Sequence, residues 1–193
     1  MGLRCSGIGD PSYAQILRQP MIDQQLGESA MLWSVRIAVL FYLLRVAIVL
    51  QNRHRARVPS SRECWLWAIG CFSYAIHVIL AFQFVHGWSH DQAWQHTAIE
   101  SERMTGIRRG EGLWVNYLFT VVWLADVVRL WAAHLHGKDL NRTMSLLVHM
   151  FFGFIVFNAT VVFGAAIYRY LAIPVAILLG WAWYQGRRSA HQK

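Results

Sequence analysis

Residues 31–50 read MLWSVRIAVLFYLLRVAIVL, an apolar run broken only by Ser34, Arg36 and Arg45. About 20 such residues in a helix cross a hydrocarbon layer about 30 Å thick. Four more stretches of this kind follow, at roughly 65–85, 113–133, 145–167 and 170–185. Their length fixes the solvent as lipid. The expected fold class is all-α: a polytopic integral membrane helical bundle of five transmembrane helices. Four remain if 170–185, the shortest stretch, is re-entrant or lies on the surface. The whole chain, 1–193, reads as a single membrane domain, because loops this short leave no room for a soluble one.

Composition agrees. The 193 residues are 56% hydrophobic and 15% charged, where a soluble domain carries about 25% charged residues. Mean hydropathy is +0.32. The net charge of +8 would suggest nucleic acid in a soluble protein. Here the basic residues sit at segment ends, where they orient the chain and touch headgroups, so no nucleic-acid partner is expected. Three cysteines exclude a disulfide framework. Cys64 and Cys71 fall two turns apart on one face of the second stretch, as small packing residues. The opening Met1-Gly2-Leu3-Arg4-Cys5-Ser6 matches the short myristoylation pattern with a palmitoylation candidate beside it, a match that chance often produces. The polar residues 1–30 do not read as a signal peptide, and the run from Met31 is too long for a signal h-region.

Arg53, Arg55, Arg57 and Arg62 against Glu63 make 51–63 the strongest topogenic signal. By the positive-inside rule it is cytoplasmic. Segment 86–111, with Asp91, Glu100, Glu102 and Glu111, is then outside. Segment 134–144 returns inside, and so does the tail bearing Arg187, Arg188 and Lys193. The N-terminus is outside and the C-terminus cytoplasmic; the expected location is the bacterial plasma (inner) membrane. Tryptophans mark the borders, as indole favours the headgroup zone: Trp33, Trp88 and Trp114 outside; Trp65, Trp67, Trp131, Trp181 and Trp183 inside. Trp123 is expected to pack between helices. Tyr168-Arg169-Tyr170 is expected to form the tight outer turn before the fifth span, with Pro174 in that span's first turns. In the outer loop, Gly87 is a helix stop and Ser89-His90-Asp91-Gln92 a capping box. They frame a helix over about 90–104, ended by Gly106. Its narrow apolar side, Trp94, Ala98 and Ile99, suits either a membrane-surface helix or a cap on the bundle.

Charges inside spans are costly and face the bundle interior. Asp126 lies about 12 Å and Arg45 about 9 Å from the inner end at 1.5 Å per residue, and Arg129 shares a helix face with Asp126. An intramembrane polar network of Arg45, Asp126 and Arg129 is expected, as a lock between helices or as a proton or ion path. Arg36 can snorkel; Asn116 and Asn158 can bond across helices. The sequons at Asn141 and Asn158 are expected to stay bare, one cytoplasmic and the other inside a span.

The histidines are the chemically provocative residues. His86, His90 and His96, with Glu100, form a candidate metal set, since His96 and Glu100 are four apart on the outer helix and imidazole with carboxylate suits zinc, copper or iron. The pattern lacks the tight His-Glu-x-x-His spacing; ordinary surface histidines are the competing reading. His77, His134 and His149 are candidate haem ligands between spans. At about 18 Å and about 6 Å from the inner edge, His77 and His149 do not match in depth; His134 matches His149 better but lies at the interface. No Gly-rich phosphate loop, Gly-x-Ser-x-Gly, Cys-x-x-Cys or paired catalytic carboxylate is present, so no catalytic residue is assigned and no resident cofactor is required.

The leading expectation is a non-enzymatic accessory or scaffold subunit of a membrane complex, partnered by the lipid bilayer and by another membrane protein or further copies of itself. The alternative is a metal- or haem-binding membrane protein, for redox work or metal handling, using the outer loop. A second alternative is a small proton-coupled carrier using Asp126, though the chain lacks the internal repeats common in carriers.

Overall fold

A computed structural model describes residues 11–52 and 58–191, with side chains described over 22–52 and 58–188. All regular structure among them is helical: α1 (Pro11–Asn52), α2 (Ser61–Phe84), α3 (His90–Thr105), α4 (Gly112–Leu135), α5 (Arg142–Phe157), a π-helical turn (Asn158–Val162) and α6 (Ala166–His191). Five segments are long and apolar enough to cross a membrane: Ile22–Asn52, Ser61–Phe84, Gly112–Leu135, Arg142–Val162 and Ala166–Arg188. The protein is therefore an integral membrane protein with an all-α bundle. Cys5, and with it the lipidation pattern, lies outside the described residues.

α1 begins well before the apolar run at Met31. Its 42 residues extend about 60 Å at 1.5 Å per residue, about twice the hydrocarbon thickness. It packs most extensively on α2, and α6 returns to close against it, while α2 pairs with α4 and α4 with α5. α2 starts on a complete capping box: the Ser60 hydroxyl accepts from the Glu63 N–H, and the Glu63 carboxylate accepts from the Ser60 N–H.

The core is aromatic. Trp67, Trp123 and Phe152 are almost wholly buried, with Trp67 and Trp123 rings 5.0 Å apart and Phe119 tilted against Phe152 at 4.4 Å. Tyr42 joins them from α1. Trp67 is therefore a core residue and not part of the border belt. Trp65, two positions earlier and on the opposite face, is 57% exposed. Trp123 packs between helices at 1% exposure.

The turn before α6 falls at 163–165, not at Tyr168-Arg169-Tyr170, which lie inside α6. The cause is local. The Asn158 amide donates to the Phe154 carbonyl at 2.8 Å and the Thr160 hydroxyl to the Val156 carbonyl at 2.7 Å. Such back-bonding competes for helix carbonyls and accompanies the widening to a π turn. It also keeps Asn158 within its own helix, so its amide makes no bond across helices. Gly164 then folds so tightly that a Cβ there would overlap the Thr160 carbonyl. Arg169 donates to the Val161 carbonyl at 3.1 Å, reaching back over the turn. Pro174 is thus a mid-helix proline, which removes one backbone hydrogen bond from α6.

Candidate functional site

Two polar regions stand out, one at each end of the bundle. At the end that carries the α1–α2 and α4–α5 connections, Arg45 is 4%, Glu63 2% and Asp126 5% exposed. The Arg45 guanidinium donates to the Glu63 carboxylate at 2.9 Å, tying α1 to α2. Arg129 binds Asp126 one turn away, with Nε 2.7 Å from Oδ1, and reaches the Ser145 hydroxyl on α5 at 3.3 Å. The contacts thus couple Asp126 with Arg129 and give Arg45 a partner in Glu63, a residue that sequence reasoning treated as the lone acid of a basic loop. The Ser60-x-x-Glu63 spacing was the signal that could have placed it at the start of a helix.

His149 extends this region into the core. Its Nδ1 lies 2.7 Å from the Ser145 carbonyl; a carbonyl only accepts, so Nδ1 carries the proton. The ring stacks on Trp67 at 6.0 Å with planes 9° apart, and Nε2 is buried. The Tyr42 hydroxyl donates to the His149 carbonyl at 3.2 Å, while the Cys64 thiol points to the Leu130 carbonyl at 3.8 Å. Polar contacts at this end therefore join α1, α2, α4 and α5.

The other candidate haem histidines sit elsewhere. His77 bonds the Met31 carbonyl at 3.0 Å, beside a Ser73–Ser34 bond of 2.8 Å. His134 bonds the Pro59 carbonyl at 2.9 Å. An imidazole held through Nδ1 is a common posture for a metal ligand, so tautomer does not oppose haem. Placement does: His149 has its face on Trp67, His134 has Trp131 against it, and His77 has Tyr74.

At the opposite end, residues 85–89 turn sharply, with Gly87 and Trp88 both at left-handed φ of 52° and 58°. Ser89 caps α3 by accepting from the Gln92 N–H at 3.3 Å. α3 folds back beside α4, burying Ala93 and Ala98, while Trp94 lies on Gly110. The fold-back brings the His96 ring to 5.3 Å from that of His86, edge to face. Partial burial, and then the neighbouring His96, hold the His86 imidazole below its ordinary pKa. The other two members of the candidate set go elsewhere. His90 bonds the Tyr117 hydroxyl at 3.1 Å, and Glu100 pairs with Arg103 at 2.6 Å. Among the described residues, no three His, Cys, Asp or Glu side chains converge to hold a metal ion.

Arg36 is committed as well: it donates to the Tyr168 hydroxyl on α6 at 2.9 Å and lies over the Trp33 ring at 5.0 Å. Compared with known proteins, the chain matches no family model, no curated protein and no solved structure.

Proposed function

We propose that this protein is a non-catalytic assembly subunit of a membrane complex, and that α6 offers the surface on which a partner helix packs. One observation carries the reading. α6 has a broad face of small residues, Ala172, Ala176, Gly180, Ala182 and Gly186, and only part of it is used within the chain. Ala182 and Gly186 are buried, so close to α1 that a Cβ on Gly186 would stand 2.6 Å from the Leu50 carbonyl oxygen. Ala176 and Gly180 are exposed, and nothing lies within 4 Å of a Cβ at Gly180. In lipid, close helix approach over small residues is a main source of association. The charged groups fit the same role: Arg45–Glu63 and Asp126–Arg129–Ser145 tie helices together and favour a lock over a carrier's proton path.

The experiment is purification of the tag-free chain from its own membranes in mild detergent, with a photo-crosslinker at position 176. A stoichiometric complex and a crosslinked partner, or a crosslinked second copy, are expected. A lone monomer with no crosslink overturns the reading. A second reading, metal handling at the outer end, is favoured by one contact, the 5.3 Å approach of His86 and His96, with solvent supplying further ligands. Bound zinc or copper lost on His96→Ala supports it; metal-free protein by elemental analysis removes it.

A further inference from the structure

A cleft of about 400 Å³ opens between the end of α4 and the start of α5, within the usual range for small-molecule sites. Its position says what kind of molecule can reach it. Arg129 lies six residues below the α4 terminus at Leu135, about 9 Å at 1.5 Å per residue, and the cleft climbs from there to His136, Lys138 and Asp139 in the connection. Between floor and rim the wall is apolar, with Ala133 and Met144 among its residues. On the same two helices, both long enough to cross a membrane, Leu135, Leu146 and Leu147 are 74%, 61% and 60% exposed. An occupant that is polar at the helix ends and apolar alongside them, as a phospholipid is, matches both the cleft and these helix surfaces.

The charges decide the headgroup. The Lys138 ammonium and Arg129 guanidinium suit a phosphate, yet the Arg129 charge is largely offset by Asp126 at 2.6 Å. Asp139 sets a carboxylate next to Lys138 on the rim. A purely anionic headgroup would meet that carboxylate with like charge. A quaternary ammonium is recognised by aromatic faces, and the lining contains no Phe, Tyr or Trp. A primary ammonium has N–H donors that a carboxylate accepts in charge-assisted bonds.

We propose that this cleft binds an aminophospholipid, its phosphate held by Lys138 and Arg129 and its primary ammonium by Asp139. The test is native mass spectrometry of the full chain, titrated with phosphatidylethanolamine, phosphatidylcholine and phosphatidylglycerol of identical acyl chains. Phosphatidylethanolamine is expected to bind about tenfold more tightly than either competitor, the ratio supported by one charge-assisted hydrogen bond. Asp139→Asn, an exposed loop substitution that leaves the bundle intact, should abolish that preference, and Lys138→Gln should weaken all three lipids. Ala133→Trp should fill the cleft and remove binding. Equal or tighter binding of phosphatidylglycerol, or a preference unchanged in Asp139→Asn, overturns the proposal. So does equally tight binding of glycerophosphoethanolamine, which has the headgroup without the chains.

Discussion

Replacing Arg45 by Met tests the buried pair most directly. Both side chains are at most 5% exposed, with nitrogen and oxygen 2.9 Å apart, and Arg45 lies seven residues, about 10 Å, inside the end of α1. Met keeps most of the aliphatic volume but takes the guanidinium away from the Glu63 carboxylate. Breaking a buried pair from one side costs about 3–5 kcal/mol, whereas replacing both charged groups together is often close to neutral. Glu63 has a second task, as the acidic arm of the capping box with Ser60. Gln at that position still suits a capping box. The double variant Arg45→Met with Glu63→Gln should therefore lose only about 1 kcal/mol, the scale of a weakened cap. The double is therefore expected to be more stable than the single by about 2–4 kcal/mol, so the unfolded fraction of the single variant stands about 30- to 1,000-fold above that of the double. Unfolding in mixed micelles with rising sodium dodecyl sulfate, followed by tryptophan fluorescence, measures it. If Arg45→Met costs under about 1 kcal/mol, or the double is less stable than the single, the pair is not the lock described above.

Three other outcomes are expected. Asp126→Asn leaves Arg129 without its charged partner and should cost about 1.5–3 kcal/mol, reducing recovery of any native complex while proton flux in proteoliposomes stays unchanged; intact assembly with lost flux would revive the carrier reading. Gly186→Ala puts a methyl against the Leu50 carbonyl, a backbone atom that cannot step aside, and should weaken α1–α6 packing by about 1–3 kcal/mol, measured as slower disulfide trapping between cysteines placed on the two helices. His86 titrates below its ordinary value in the folded protein, so the fold binds fewer protons there than the open turn does. Docking of α3 should be full above the ordinary imidazole pKa of about 6.5, weaken as pH falls below it, and lose this contribution once pH passes through the lowered value. Hydrogen exchange at 85–97 across that window reads it, and His86→Phe should flatten the dependence.

What could be read from the residues divides along a physical line. Runs of about 20 apolar positions encode solvent and length, so the five apolar segments were legible. Which face of each helix packs inward was not, because lipid and core are both apolar and hydrophobic periodicity carries little of that information. Trp65 and Trp67 illustrate it: the same residue type at the same depth, one facing out and one at the centre of the core. Charged residues misled in a different way. Arg169 resembled a turn residue by its polarity, yet it belongs to α6 and serves the Val161 carbonyl of the preceding π turn. The histidine loop was visible as a cluster in the sequence, but only the turn at Gly87 and Trp88 selects His86 and His96 as neighbours and sends His90 to Tyr117.

The closure of α6 on α1 sets an order of events during synthesis. α6 is made after α1, with about 110 residues in between. At about 5–20 residues per second, several seconds or more separate the two. For that interval the flank of α1 at Leu50 and Gln51, shaped to receive Gly186, stands open to lipid or to an insertion factor. A ribosome stalled before residue 166 would hold a chain whose first four apolar segments are complete and whose α1–α6 seam is still unsewn.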